Sequence, residues 1–182
     1  MDRVANLEQR AFRVGFVLID GFALMSYSAA VEVLRAANLL AGRELYAIRH
    51  IPATGTQAVS STGAIVEGTG QLGADFDFDL VLVVAGGDPA KFRDRKVFRW
   101  LRQLSQRNIR LGGVSGGPVV LAAAGLMEGR RMTVHWEHAA ALAEVSPALI
   151  IERSLYVIDR DRITCAGGTS PLDMMHALLT EH

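Results

Sequence analysis

The segment at residues 110–125 constrains the fold more than any other part of the chain. Its sequence, RLGGVSGGPVVLAAAG, is typical of a buried strand that passes through a sharp glycine turn into a helix. Gly113, Ser115 and Gly117 have the spacing G-x-S-x-G, which lifts a serine side chain out of a strand-to-helix turn. Pro118 suits the first turn of the helix, where a missing N–H costs nothing. We therefore expect whatever this chain binds or converts to lie above Ser115.

The rest of the sequence alternates between short apolar runs and amphipathic segments. The strongest run, at residues 79–85, is typical of a strand buried on both faces of a parallel sheet. We predict strands at residues 12–19, 45–51, 79–85, 109–114 and 131–134, a small strand pair at 59–66, and a hairpin of 155–159 with 162–166. Helices are predicted at residues 23–40, 92–108, 119–124, 137–143 and 171–180. The alternation predicts an α/β fold with a mostly parallel central sheet covered by helices on both faces.

Four of the predicted strands end in glycine-rich turns. The turns are Asp20-Gly21, Gly86-Gly87, Ser115-Gly116-Gly117 and Gly167-Gly168. Ligands of open α/β sheets bind beyond the carboxyl ends of the strands. One ligand site is therefore expected where these turns meet.

Composition limits the classes of function. The 182 residues fit one domain, and a hydrophobic fraction of 50% allows a large core and excludes disorder. Because 19 basic residues balance 19 acidic ones, the chain has no overall electrostatic signature for a phosphate backbone. A single cysteine excludes an internal disulfide, and the N-terminus lacks the apolar run of a signal peptide. We expect a cytoplasmic protein without a membrane span.

Ser115 and His135 are the candidates for nucleophilic catalysis. A serine nucleophile needs a base and a group that orients the base. His135 follows a short predicted strand toward the same edge, and Glu137 or Asp173 could be the third member. The alternative, which we favour, is a tight turn that contacts a ligand without chemistry.

The segment His135-Trp136-Glu137-His138 is a second cluster of functional side chains. It lacks the spacing of a defined metal site, so no metal is predicted. Trp136 offers an aromatic face to a cation, and Glu137 could complete a site for a quaternary ammonium or guanidinium group. Packing of Trp136 in the core is an equally weighted alternative.

Three further features receive mainly structural interpretations. Thr169 and Ser170 open the last helix, where they could seat an anion or, with Ser170 as the N-cap and Asp173 at N3, simply cap it. Cys165 is expected to be a small buried hydrophobe. The arginines of the second long helix are expected to form a solvated face; they are Arg93, Arg95, Arg99 and Arg102.

Five motifs spread over the chain carry a family resemblance. They are IDGF (19–22), VAGG (84–87), GVSGG (113–117), AGLMEGRRMTVHW (124–136) and TCAGGTSPLDMM (164–175). Together they resemble the ThiJ/PfpI (class I glutamine amidotransferase-like) domain over residues 12–182, with residues 1–11 as an N-terminal extension. More narrowly, they resemble that domain at the N-terminus of AraC-type transcriptional regulators, in the branch that senses glycine betaine, carnitine or arginine.

The resemblance implies a flavodoxin-like three-layer sandwich and a regulatory function. The domain would bind a small effector, either a quaternary ammonium compound or an amino-acid-like one, without a cofactor. It would form a homodimer, and DNA would be bound by a helix-turn-helix domain outside this chain. From the turns and clusters described above, we predict that the ligand contacts are Gly86, Gly87, Ser115, Gly116, Gly117, His135, Trp136, Glu137, Thr169 and Ser170.

This sequence departs from the catalytic members of the family at the residues that perform chemistry. A cysteine at the turn is replaced by Ser115, and the histidine that follows it in protease-like relatives is replaced by Gly116. Ser26 stands where relatives often have a supporting glutamate, and only His135 remains. Because a hydroxyl needs a base more than a thiol does, we predict a domain without enzymatic activity. The alternative is a serine-dependent hydrolase or amidohydrolase that uses Ser115 and His135.

Overall fold

The computed structural model describes residues 10–74 and 76–181, in which ten strands and five α-helices alternate. The strands are β1 (Phe12–Leu18), β2 (Tyr46–Pro52), β3 (Gln57–Val59), β4 (Ile65–Glu67), β5 (Leu80–Ala85), β6 (Arg110–Ser115), β7 (Arg131–Met132), β8 (Ile150–Ile151), β9 (Tyr156–Asp159) and β10 (Arg162–Cys165). The helices are α1 (Leu24–Ala41), α2 (Arg95–Gln106), α3 (Gly117–Ala123), α4 (Trp136–Val145) and α5 (Ser170–Leu179), with a short 3-10 turn at Pro89–Lys91.

Six strands form the central sheet in the order β2-β1-β5-β6-β10-β9. All neighbours are parallel except β9, which returns antiparallel to β10 as the predicted hairpin. The register pairs Val83 with Gly113 and Ala85 with Ser115, so β5 and β6 end side by side. The predicted α/β, flavodoxin-like architecture is confirmed.

Helices cover both faces of the sheet, because successive side chains of a strand point to opposite sides. In β5, Leu80, Leu82 and Val84 pack in the cluster that also contains the apolar side chains of α1 and α5. Val81, Val83 and Ala85 pack in the cluster of α2, α3 and α4. Every residue of β5 is buried, as its continuous apolar sequence predicts.

Two boundaries differ from the sequence prediction for local reasons. The helix predicted from residue 92 begins only at Arg95, because the Asp94 side chain caps it by accepting from two backbone N–H groups. The strand predicted at residues 131–134 is reduced to β7, which pairs with the unpredicted β8 outside the central sheet. It stops because the Thr133 N–H bonds to the Thr164 hydroxyl instead of a strand backbone.

The predicted N-terminal extension, residues 1–11, falls mostly outside the described residues. None of the helices in the described ranges combines the length and the hydropathy that a bilayer crossing requires.

Candidate functional site

The four glycine turns lie along one edge of the central sheet. They follow β1, β5, β6 and β10, which are consecutive neighbours and all parallel, so their carboxyl ends point the same way. This edge, which we call the Ser115 edge, therefore brings together residues that are far apart in the sequence.

Ser115 occupies the sharp turn that its flanking glycines predict. It is the last residue of β6 and has a φ of 60°, in the left-handed region that non-glycine residues rarely adopt. The turn is tight because α3 presses against β5: a Cβ on Gly117 would collide with the Val83 carbonyl oxygen. Strained conformations of this kind persist where surrounding packing holds them, often at functional sites.

The turn after β10 lies directly against the Ser115 side chain. A Cβ on Gly167 would sit 2.8 Å from the Ser115 Oγ, so only glycine permits this approach. The Ser170 hydroxyl donates to the Gly167 carbonyl oxygen at 2.7 Å and holds the turn. The prediction that Ser170 is the N-cap of the last helix is therefore wrong. Thr169 is the N-cap, and its side chain makes no capping hydrogen bond.

Cys165 forms the buried floor beside Ser115, in agreement with its predicted role as a small hydrophobe. It is fully buried in the α1 and α5 layer. Burial raises the pKa of the Cys165 thiol to about 12, although hydrogen bonds with the Gly167 and Ser115 backbones and the Ser170 side chain lower it. The thiol is therefore neutral at physiological pH and unsuited to nucleophilic attack.

Three α-helices begin at the Ser115 edge without a side-chain cap. The N-cap residues Ala23 of α1, Gly116 of α3 and Thr169 of α5 make no side-chain capping hydrogen bond. By contrast, α2 and α4 are capped by side chains. Uncapped N–H groups at helix N-termini favour a bound carboxylate or other anion.

Ser26 adds an unsatisfied hydroxyl in the first turn of α1. Its side chain is buried, and its Oγ has no hydrogen-bond partner among the described residues. The loop before α1 lies against the β5 turn, since a Cβ on Gly86 would sit 2.5 Å from the Gly21 carbonyl oxygen. Buried polar groups without a partner are uncommon and mark positions where a ligand or water can bind. Sequence reasoning identified Ser26 only as a missing glutamate.

His135 approaches Ser115 through the backbone but does not act on its hydroxyl. The His135 N–H donates to the Ser115 carbonyl oxygen at 3.4 Å. The imidazole Nδ1 instead faces Glu137, accepting from its backbone N–H and lying 3.5 Å from its Oε2. Within the described part of the chain, the Ser115 hydroxyl forms no hydrogen bond with an imidazole. Because Nδ1 accepts a hydrogen bond here, it does not donate to the Glu137 carboxylate, and neither hydrogen bond of a catalytic triad is formed among the described residues.

Trp136 does not pack in the core, so that alternative prediction is wrong. It is 76% exposed, and its ring centroid lies 5.7 Å from that of His135. It lines a groove of about 870 Å³ between α4 and the segment from β8 to β9, together with Thr133 and Leu155. Ser115 does not line this groove.

The remaining predicted contacts divide between the two places. Gly86, Gly87, Gly116 and Gly117 lie in the turns of the Ser115 edge, and Ser170 is buried there. Thr169 is exposed at the start of α5, and Glu137 is exposed on α4 beside Trp136. No group of three His, Cys, Asp or Glu side chains in residues 10–74 and 76–181 is arranged to hold a metal ion.

Sequence reasoning missed a second cleft on the other side of α4. It has a volume of about 340 Å³ and is lined by His138, Asp88 and Arg93 above an apolar floor that includes Leu142. Burial, followed by the charge of His135, lowers the pKa of His138. Asp88 follows Gly87 directly, but nothing in its spacing predicts that it faces α4.

Comparisons with known proteins agree with this geometry. Residues 12–181 match the DJ-1/PfpI family. The chain is 48% identical over 171 residues to the HTH-type transcriptional regulator GlxA of Rhizobium meliloti (strain 1021), covering 93% of this chain and 52% of the relative. It is 40% identical over 166 residues to the HTH-type transcriptional regulator CdhR of Pseudomonas aeruginosa, covering 91% and 49%.

Solved structures show the same fold. An AraC family transcriptional regulator from Pseudomonas putida superimposes with a TM-score of 0.83 at 26% identity, covering 93% of this chain and 91% of that one. Drosophila melanogaster DJ-1beta superimposes with a TM-score of 0.79 at 18% identity, covering 94% and 90%. The chain spans about half the length of the curated regulators it matches. With the turn at Ser115, the six-stranded sheet and these matches in agreement, the chain is a member of the DJ-1/PfpI family, in the group whose relatives are transcriptional regulators.

Proposed function

We propose that this chain is the effector-binding domain of an AraC-type transcriptional regulator and that it binds a small metabolite without converting it. The observation that carries the proposal is the Ser115 edge itself. Three helix N-termini there lack side-chain caps, while the Ser115 hydroxyl has no imidazole partner among the described residues. An edge of this kind can bind an anionic group but has no means of activating the serine.

The ligand class follows from the groups at the Ser115 edge and in the adjoining groove of Trp136, which Ala166, directly before the Gly167 turn, also lines. A carboxylate would accept hydrogen bonds from the N–H groups of Gly86, Gly87 and Gly117, since the Gly116 N–H already donates to the Ala85 carbonyl oxygen at 3.1 Å. The exposed ring of Trp136 and the carboxylate of Glu137 would face a cationic group. A small molecule with both groups, such as a betaine or an amino acid, satisfies both requirements. Thr169 and Ser170 would close the site from the β10 side.

One observation favours the hydrolase alternative. The Glu137 Oε2 lies 3.5 Å from the His135 Nδ1, close enough to orient the imidazole once Nδ1 carries a proton. The alternative requires the His135 ring to turn its other nitrogen toward Ser115 when a substrate binds. The present geometry uses Nδ1 to cap α4 and therefore supports binding over hydrolysis.

The regulatory part of the proposal involves residues outside this chain. The curated relatives are about twice as long and are named as HTH-type regulators. We infer that DNA is bound by such a domain, that this domain forms a homodimer in the cytoplasm, and that ligand binding biases the arrangement of the dimer.

A thermal-shift experiment with glycine betaine, carnitine and arginine tests the proposal. A ligand at 100 times its Kd adds about 2.7 kcal/mol to the free energy of unfolding. For a domain of this size, that raises the melting temperature by roughly 5 to 10 °C. Trp136→Ala should reduce the shift, whereas Leu40→Ala, which removes an 88% exposed apolar side chain of α1, should leave it unchanged.

Two results would contradict the proposal. If no betaine, carnitine or amino acid raises the melting temperature, the Ser115 edge is not an effector site for this class. If an ester or amide is hydrolysed and Ser115→Ala abolishes the turnover, the hydrolase alternative is correct.

A further inference from the structure

The outward face of α2 carries a concentrated positive charge in a chain with no net charge. Four basic residues lie on this helix, which contains no acidic residue. They are Arg95, Lys96, Arg99 and Arg102, and we call them the α2 patch. The apolar side chains of the helix are buried against the sheet. The zero net charge of the whole chain therefore hides a local excess on one face.

These charges do not stabilise the helix that carries them. Arg95 and Lys96 lie in the first turn, where the helix dipole disfavours cations. Without an acidic residue, α2 has no ion pair along its own face to compensate. Ion pairs elsewhere engage other arginines, and none within residues 10–74 and 76–181 involves Arg95, Lys96 or Arg99. The N-cap Asp94 carboxylate offsets only part of this charge, and the remaining excess of cations suggests a role toward a partner.

The chemistry of the patch fits a row of phosphates. Arg95, Arg99 and Arg102 line one shallow surface together with Gln103, Gln106 and the edge of Phe98. The arginine and glutamine side chains are hydrogen-bond donors, although the Arg102 Nε already donates to the Ala124 carbonyl oxygen at 2.8 Å. Arg95 and Arg102 are seven residues apart, about 10 Å along the helix axis. That distance corresponds to about three base-pair steps of duplex DNA. Contacts to a phosphate backbone need charge and donors and no apolar surface.

Other anionic partners fit this face less well. Among the large apolar side chains of α2, the most exposed is Phe98, at 9%. A helix that binds a membrane surface inserts an apolar face, and protein interfaces have an apolar or aromatic centre. Because α2 offers neither, a nucleic acid backbone is the partner that its surface matches.

We propose that the α2 patch contacts the phosphate backbone of duplex DNA without regard to sequence. This inference rests on the proposed function, which keeps the domain close to DNA through a second domain. The patch would add a salt-dependent contribution to DNA affinity. It also refines the expectation drawn from net charge, because a neutral chain can carry a local basic footprint.

Fluorescence anisotropy of a labelled duplex, titrated with the 182-residue chain, tests this inference. At about 20 mM salt we expect a Kd of roughly 10⁻⁴ M, with a slope of log Kobs against log salt of about −3. The triple variant Arg95→Glu, Lys96→Glu, Arg99→Glu should weaken binding about tenfold or more. It should fold at least as stably as the parent, because acidic residues are favourable in the first turn of a helix.

A matched control separates the patch from overall charge. The triple variant Arg43→Glu, Arg49→Glu, Arg153→Glu changes the net charge equally, at three exposed arginines with no ion pair among the described residues. It should weaken binding by less than about threefold. Equal losses in the two triple variants, no binding at low salt, or tighter binding to phosphatidylserine vesicles than to the duplex would each overturn the inference.

The same variants distinguish this inference from the proposed function. The α2 patch variant should keep the full effector-induced rise in melting temperature. A failed DNA titration with an intact thermal shift refutes only the patch. DNA binding without any thermal shift refutes only the effector site.

Discussion

Helices α2 and α4 cover the same face of the central sheet but are attached to it very differently. Five side chains of α2 are buried, including Trp100 and Leu101, and its N-terminus is capped by Asp94 at 2.7 and 3.1 Å. In α4 only Leu142 is buried, and its cap is a single 3.5 Å hydrogen bond to His135. A cleft lies on each side of α4.

The difference assigns separate roles to the two helices. Stability within a fold is uneven, and elements with few buried contacts open most easily. Since α4 carries Trp136 and Glu137, the side chains proposed to sense a cation lie on the helix with fewer buried contacts. Helix α2 provides the rigid support, and its outer surface is available for a partner.

Truncation of one buried leucine in each helix should give the largest difference between α2 and α4 in the free energy of unfolding that is lost. Leu101→Ala should lower the free energy of unfolding by about 3 to 5 kcal/mol, because its fully buried site cannot collapse. Leu142→Ala should cost about 2 kcal/mol or less, because clefts already border its helix. Urea denaturation measures both. If Leu142→Ala costs as much as Leu101→Ala, the two helices are equally attached and the comparison fails.

Removal of the N-cap side chains should again destabilise the protein more through α2 than through α4, but by a smaller difference in the free energy of unfolding. Asp94→Ala should cost about 1 kcal/mol, because two N–H groups lose their acceptor. His135→Ala should cost only a few tenths of a kcal/mol, because its hydrogen bond is long. Thermal unfolding with Asp94→Asn as the conservative control provides the measurement. An equal loss for the two alanine variants would show that the α4 cap is stronger than its length indicates.

Acidification should give the smallest effect, and of the two helices it should act on α4 and not on α2. The pKa of His138 is lowered from 6.5, mainly by burial and then by His135, although Glu137 and Asp88 act in the opposite direction. The packed helix therefore prefers the neutral imidazole. The stability that depends on the neutral His138 imidazole is complete above about pH 6.5 and is lost as the pH falls below that value. Hydrogen exchange of the α4 amides, corrected for intrinsic rates, should accelerate between about pH 7 and pH 5 relative to α2. The acceleration should disappear in His138→Gln; if it persists, another group is responsible.

The sequence was sufficient for the sheet and for the location of the Ser115 edge. The apolar run of β5 and the G-x-S-x-G spacing depend on local rules of burial and turn geometry, and the structure follows them. The features that the sequence predicted wrongly or did not predict depend on tertiary contacts. The Thr164 hydroxyl ends the strand predicted at residues 131–134, and the Ser170 hydroxyl turns back to Gly167 instead of capping α5. The exposure of Trp136 and the clefts beside α4 depend on how loosely α4 packs, which its alanine-rich sequence does not specify.

The central claim is that the Ser115 edge binds a small zwitterion and leaves it unchanged. Proton NMR of glycine betaine, carnitine or arginine mixed with the protein tests both parts in one sample. The account predicts saturation transfer from protein to ligand, with the ligand spectrum unchanged after prolonged incubation. New ligand-derived resonances that are absent with Ser115→Ala would contradict it.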